Sequence, residues 1–472
     1  MILILALFTT FVAAGFLLSR IRRRDLTSAG FWFVVLSLIF FLFSFISVWA
    51  ESGFDETDGL ADGVVVVSLG VLAFIGGCLL MNALVRQAPV RPLVLAEDDA
   101  PSQAREKRET RGLVMISAAI LIPSWVYFML LGEVPLFMGV TDVVNSGYGG
   151  LGALQTYRLA LTPHLTGESI PFKGLFDIAR NYGTLFIVGV STVQLLQKRG
   201  KTLRIVLIGA SVVTGLAAGQ RWPMIYLVVT ALAAIYALAR FGVRPRGRRV
   251  LGFSAALIAV GMVITLLQKR TTEVIDNAGS ALSFVFENLY ERIVFEQSAT
   301  PILSFQRHVF ASGELEGASY WQAIQANLPG SDVNNFEVDF FARVYGGHYG
   351  YTAAPGFFTE AYINFGYLGV VFLSLLWGML LTRIDTARWW DRDLAFRPGF
   401  KSAVAALLAG TTFAGGGLLI GGTVLFVYVL ILYRLVAGGG ARDESGLALR
   451  RRKAAPAEQY ARTRSWTLKS SS

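Results

Sequence analysis

The sequence predicts an all-α, polytopic integral membrane protein, and three observations carry that expectation. Apolar side chains make up 54% of the 472 residues, charged ones only 16%, and the mean hydropathy is +0.55. Apolar stretches of about 18 residues or more, long enough to cross a bilayer as a helix, recur along the whole chain. Lys and Arg collect in alternate connections between those stretches, the bias that orients multi-span proteins. Residues 1–436 are therefore read as one membrane domain. Residues 437–472 are read as a basic, disordered cytoplasmic tail, Ser-rich at its end.

The first stretch, ILILALFTTFVAAGFLL, has no basic residue before it and SRIRRR after it. A cleavable secretory signal has the opposite flanks, so this is read as a first span with its N-terminus outside. Ten more follow, giving eleven spans at roughly 2–18, 29–50, 63–85, 112–131, 172–196, 204–219, 222–239, 249–268, 356–382, 401–414 and 418–436. Between the last two, GGGLLIGG at 415–422 permits either a tight turn joining two short helices or a break within one.

With the N-terminus outside, the inside segments hold 33 of the 42 Lys and Arg residues. That places the C-terminus in the cytoplasm and makes most of the +10 net charge an orientation signal and a contact for anionic lipid. No aromatic or groove-reading pattern accompanies the basic clusters, which argues against a nucleic-acid partner. The nine remaining cations are Arg158, Lys173, Arg180, Arg221, Lys269, Arg270, Arg292, Arg307 and Arg343. They run against the bias and need another explanation.

Two outer loops are long, about 132–171 and 269–355. The second exceeds any idle connection. Within it, SALSFVFENLYERIVFEQ sets Leu282, Val285, Phe286, Leu289 and Ile293 on one helical face, as in a helix lying at the membrane surface. The acidic loop ESGFDETDGLAD at 51–62 reads as solvated. No internal repeat is evident, which weakens an inverted-repeat transporter reading. The single cysteine, Cys78, excludes an intrachain disulfide, and the three histidines, all on the outer side, match no zinc spacing. No metal and no cofactor are expected.

Arg221 stands in LAAGQRWPMIYL, a short outer turn for which Gly219 and Pro223 already supply the turn chemistry. Its planar fork suits phosphate oxygens; the alternative is an arginine that snorkels to headgroups beside Trp222. Arg292, Arg307 and Arg343 are further candidates for a diphosphate, each also readable as a surface charge. His308, directly after Arg307, is a candidate general base or a surface histidine. His348, in YGGHYGY, sits in a glycine- and tyrosine-rich loop able to approach a sugar. SDVNNFEVDF at 331–340 offers oxygen ligands without the calcium-loop spacing and reads more simply as a solvated loop. In the fifth span Lys173, Asp177 and Arg180 share one face, as a helix pair or as a cavity lining.

The stretch TAAPGFFTEAYINFGYLG, 352–369, is the most informative. Pro355 and Gly356 start a helix at the outer surface, proline suiting the first helical position. Glu360, Asn364 and Tyr367 fall on one stripe, with Glu360 about 6–8 Å below the start. Gly366 and Gly369 suit close helix packing. The stripe is read either as the lining of an outward-facing cavity or as a hydrogen-bond network joining helices.

PGFFTEAYINFGYLGVVFLSLLWGML resembles the late motif of the oligosaccharide repeat-unit polymerases, the Wzy-type O-antigen and exopolysaccharide polymerases, and AAGQRW resembles that family's mid-chain Gly-x-Arg turn. The long loop before the late motif fits the same layout, so the resemblance covers about 200–382. It implies a GT-C-like, metal-independent glycosyltransferase of the bacterial plasma (inner) membrane. Such an enzyme joins polyprenyl-diphosphate-linked oligosaccharides on the outer face, beside a flippase and a chain-length regulator. It further implies Arg221 at the diphosphate, with Tyr362 and Asn364 of the motif at the glycan, and leaves His308 and Glu360 as candidate bases. A ligase moving the glycan to another acceptor, a lipid-glycan transporter and a structural partner of envelope assembly are the competing expectations.

Overall fold

The computed structural model describes residues 1–22, 25–54, 59–85, 103–146, 179–197, 200–219, 222–239, 298–326, 336–347, 353–387 and 397–413, with isolated positions elsewhere. Among them every regular element is a helix. In chain order these are α1 (Ile2–Arg22), α2 (Ala29–Glu51, with a π turn at Leu38–Leu42), α3 (Leu60–Leu84), α4 (Gln103–Leu131) and α5 (Pro135–Ser146). A π turn at Ala179–Gly183 leads into α6 (Thr184–Leu196), followed by α7 (Lys201–Leu216) and α8 (Trp222–Ala239). Then come α9 (Ala299–Gln306), α10 (Ala318–Ala326), α11 (Phe336–Val344), α12 (Phe357–Asp385) and α13 (Arg397–Ala409).

Among the described residues five helices are long and apolar enough to cross a membrane: α1, α2, α3, residues 109–131 of α4, and α12. This is a helical membrane protein. The spans expected at 249–268 and 418–436, the tail, Arg221, Arg292 and His348 lie outside the described residues, apart from isolated positions in the first of these.

Helix ends meet at two opposite faces. On one, the Arg20 guanidinium pairs with Asp25 at 2.8 Å, Ser28 donates to Asp385 Oδ2 at 2.6 Å, and the Lys401 ammonium donates to the Asp385 carbonyl at 2.9 Å. The Asp385 carboxylate also accepts from the Ala29 amide at 3.1 Å, so the end of α12 satisfies the free amides at the start of α2. Arg204 joins the same face by donating to Thr110 at 2.8 Å. On the other face the Tyr367 phenol donates to Asp62 at 2.8 Å, the Leu136 amide to the Ala217 carbonyl at 3.0 Å, and the Tyr226 phenol to the Gly410 carbonyl at 3.3 Å. Successive long helices thus run in opposite directions between the faces.

Among the described residues two large apolar cores, with two small clusters beside them, fill the interior. One joins α1, α2 and α3 to α12 and to α9 and α11; the other joins α4, α6, α7 and α8. α13 serves both, through Ala405 and Ala409 in the first and Phe400, Val404 and Leu407 in the second. α3 and α12 approach backbone to backbone: a Cβ on Gly77 would overlap the Leu375 carbonyl, and one on Gly378 the Phe74 carbonyl. Close packing was expected at Gly366 and Gly369 instead. Gly366 breaks the helix and packs against the loop, where a Cβ would come 2.7 Å from Ser312 Oγ, not against a helix, and a Cβ on Gly369 would overlap Phe365 of its own helix.

Candidate functional site

The late motif forms the first part of α12, entered through Pro355 and capped by Gly356, which at φ 75° and ψ 157° precedes the first helical residue, Phe357. Proline therefore stands before the cap rather than at the first helical position. At Gly366 the backbone takes φ 65° and ψ −161°, accessible to glycine and strained for other residues. The helix is broken there. Residues 367–385 alone cover about 28 Å at 1.5 Å per residue, close to the roughly 30 Å hydrocarbon core. The span proper therefore begins after Gly366, and Glu360 belongs to a half-helix at its head, not to the span's first turns.

That half-helix is enclosed. Residues 355–364 are all buried, beneath Phe33, Phe41 and a strap formed by residues 311–319. A break turns the following amides away from the carbonyls of the preceding turn. Two of those carbonyls take partners from the strap: Tyr362 accepts from the Gly313 amide at 3.0 Å and Ile363 from the Leu315 amide at 3.1 Å. One turn earlier, Ser319 at the start of α10 donates its hydroxyl to Glu360 Oε1 at 2.7 Å. The same hydroxyl accepts from the Asn364 amide at 2.7 Å, and that amide also donates to the Glu360 carbonyl at 2.8 Å. Glu360 is 2% exposed and Asn364 1%. The polar stripe thus ties the loop that precedes α12 to that helix. Of its two sequence readings, the bonded network is the one the geometry displays. Burial pushes the Tyr320 phenol well up, with the Glu360 carboxylate adding to the shift. Gly415, at φ 57°, packs so closely on Glu360 Oε2 that a Cβ there would overlap it. This is where the first glycine of GGGLLIGG stands, just past α13.

Around this buried bridge lies an exposed polar cluster. α9 ends in a Schellman turn: the Val309 amide bonds the Ser304 carbonyl at 3.0 Å and the His308 amide the Phe305 carbonyl at 3.0 Å. His308 occupies the left-handed position at φ 48°, usually held by glycine. Its imidazole lies over Gly59, where an added Cβ would come within 3.0 Å of Cε1. Arg307 donates to the Val344 carbonyl at the end of α11 at 3.0 Å, a cation on the negative end of a helix. Arg343 pairs with Glu314 at 2.9 Å and lies 5.1 Å over the Phe310 ring. The Ala311 amide, then Arg343, hold the Glu314 carboxylate below its ordinary range. Tyr362 stacks obliquely on Phe305 at 5.2 Å and meets Tyr367 edge-on at 5.1 Å, and Tyr367 is the residue bonded to Asp62.

Of the sequence candidates, Arg307, His308 and Arg343 are exposed, and the bond from Arg307 to the Val344 carbonyl brings the ends of α9 and α11 together; Glu360, Tyr362 and Asn364 are buried on α12. The SDVNNFEVDF stretch is helical from Phe336, and Asp339 accepts from Gln322 Nε2 at 2.6 Å. Arg180, on the π turn before α6, is buried with its Nε donating to Asn181 at 3.1 Å and its guanidinium 5.7 Å over Phe128. Sequence reasoning missed two participants. Asp62 belongs to a loop read as solvated, and Ser319 stands in a helix with no charge to mark it. Chemically, the region holds two guanidinium groups, Arg307 on the Val344 carbonyl and Arg343 on Glu314, with an imidazole, the Asp62 carboxylate and an aromatic floor. Against protein-family models, curated proteins and solved structures, the chain finds no match.

Proposed function

We propose that the chain is a GT-C-like membrane glycosyltransferase of about eleven spans. It joins polyprenyl-diphosphate-linked oligosaccharide repeat units at the outer face of the bacterial plasma membrane. The observation that carries the reading is the exposed group of Arg307, His308 and Arg343, in the loop that precedes the motif half-helix of α12. The orientation follows from charge. Arg20, Arg204 and Lys401 meet at the Asp385 face, which the positive-inside bias assigns to the cytoplasm, leaving the cluster outside.

In this reading an acceptor-sugar hydroxyl attacks the anomeric carbon of the donor. The C–O bond to phosphate breaks, and its electron pair leaves on the diphosphate. Arg307 and Arg343, with Arg221, offset that developing charge. The hydroxyl proton passes to His308, with Asp62 as a second acceptor on the same face. Glu360 and Asn364 hold the half-helix to the strap and take no proton. A flippase that delivers the units and a chain-length regulator are the partners this reading suggests.

The test is reconstitution in liposomes with a polyprenyl-diphosphate-linked oligosaccharide. A polymerase converts it to a ladder on a glycan gel. Arg307→Ala combined with Arg343→Ala should slow ladder growth about 100-fold, the scale of lost transition-state charge stabilisation, and Arg221→Ala should leave single units. Transfer only to a different added acceptor would make the chain a ligase. Movement of intact units across the bilayer without chain growth would make it a transporter.

A further inference from the structure

α10, the helix that holds Glu360 and Asn364 through Ser319, has the wrong outer surface for water. Its sequence, ASYWQAIQA, carries no charge. Ser319 and Ala323 face inward, and Gln322 bonds sideways to Asp339 on α11. The exposed positions are Ala318, Trp321, 60% exposed, and Ile324, 41% exposed, at successive turns, with Gln325 half-buried beside them. A helix of a water-facing loop keeps polar residues there.

Its depth is set by its neighbours. Tyr320 stacks on Phe365 with ring centroids 6.2 Å apart, and Gly317 packs against the same ring. Phe365 is the last residue before the break at Gly366, after which the roughly 28 Å span begins. α10 therefore sits at the level where the hydrocarbon core ends. Its exposed side continues into the exposed stripe of α12 formed by Phe365, Leu368, Phe372, Leu376 and Leu380, with Leu368 84% exposed. In a membrane-spanning helix such a stripe is lipid contact. Tryptophan with an aliphatic neighbour at that level matches the interfacial aromatic belt.

The geometry points to α10 as a membrane-interface helix: Trp321 and Ile324 insert between lipid headgroups and acyl chains, so that the strap over the α12 break is anchored in the bilayer. The occupant of this face is lipid, because the face is continuous with the lipid-facing side of the adjoining span. The anchor holds whatever reaction the chain performs. On the glycosyltransferase reading, it would keep the Arg307–His308–Arg343 cluster at the height of a lipid-borne diphosphate.

Nitroxide labels test this on the full chain in phosphatidylethanolamine–phosphatidylglycerol vesicles. The one native cysteine, Cys78, is buried and stays unlabelled. Labels at Trp321→Cys and, separately, Ile324→Cys are compared with Leu368→Cys as the lipid standard and Glu314→Cys as the water standard. Collisions with oxygen and with a water-soluble nickel chelate are read by power saturation. The expected result is an oxygen-to-nickel ratio at 321 and 324 matching that at 368 and several-fold above that at 314. A ratio like that at 314 would overturn the anchor. Protection from both reagents would also overturn it, showing instead that protein, such as a second copy, covers the face.

Discussion

Replacing His308 by glycine separates its backbone role from its side-chain role, because the two are expected to move in opposite directions. The residue holds the left-handed position of the Schellman turn at φ 48°. A side chain with a Cβ pays about 1–2 kcal/mol there. Glycine removes that strain but brings back about 0.4–1 kcal/mol of unfolded-chain freedom. The imidazole is exposed, so little packing is lost. His308→Gly should therefore leave the fold as stable as the parent or stabilise it by up to about 1.5 kcal/mol. His308→Ala keeps the strain and should fall below His308→Gly by about 1 kcal/mol. In the liposome reaction both should lose about 100-fold or more, the scale of a missing general base. Thermal aggregation of the detergent-solubilised protein gives the stability order, and the glycan ladder gives the rate. If glycine melts below alanine, the capping geometry is wrong. If glycine leaves the ladder intact, the imidazole has no part in the chemistry.

Two further outcomes follow from the contacts around α12. Glu360→Gln retains an oxygen to accept from Ser319, so protein level and product length should persist; Glu360→Ala leaves the buried Ser319 hydroxyl without its acceptor, costing about 1–3 kcal/mol, and should raise hydrogen exchange in the strap and α10, residues 311–326. Equal exchange in both variants would disprove the bracing role. Gly378→Ala drives a methyl into the Phe74 carbonyl and should cost about 1–3 kcal/mol by overpacking, seen as reduced membrane abundance, whereas Gly76→Ala, with open space around it, should not.

Much of the fold was legible because membrane helices announce themselves by composition. The expected spans at 2–18, 29–50, 63–85, 112–131 and 356–382 correspond to α1 to α4 and α12, within a few residues at most ends. The break at Gly366 was not legible. In a helix rich in small residues a glycine reads as a packing surface, and only its φ and ψ distinguish a hinge from a contact. Glu360 and Asn364 were visible as a pair because i and i+4 share a helix face. Their partner, Ser319, is 41 positions away from Glu360 in a segment without strong periodicity. His308 was noticed for its chemistry, while its capping role was hidden because glycine is the residue that signals that position. Asp62 is exposed, as its acidic stretch predicts, and it is the fold that brings Tyr367 to it.

The break also resolves the problem posed by a carboxylate in an apolar stretch. A charged side chain at the centre of a spanning helix costs about 2.5–3.5 kcal/mol on insertion scales. Were residues 357–385 one straight span, Glu360 and Asn364 would sit in its upper turns and need partners from neighbouring spans. With the helix broken at Gly366, residues 367–385 cross the core without them. The half-helix instead lies where the loop can supply Ser319 and the amides of Gly313 and Leu315. The polar residues of the motif and the glycine that breaks the helix are therefore one device. A substitution that straightened residue 366 would turn the amides of the next turn back toward the carbonyls now held by the strap. It would also carry Glu360 toward the hydrocarbon, so its cost falls on the strap and on Arg343, which the strap holds through Glu314.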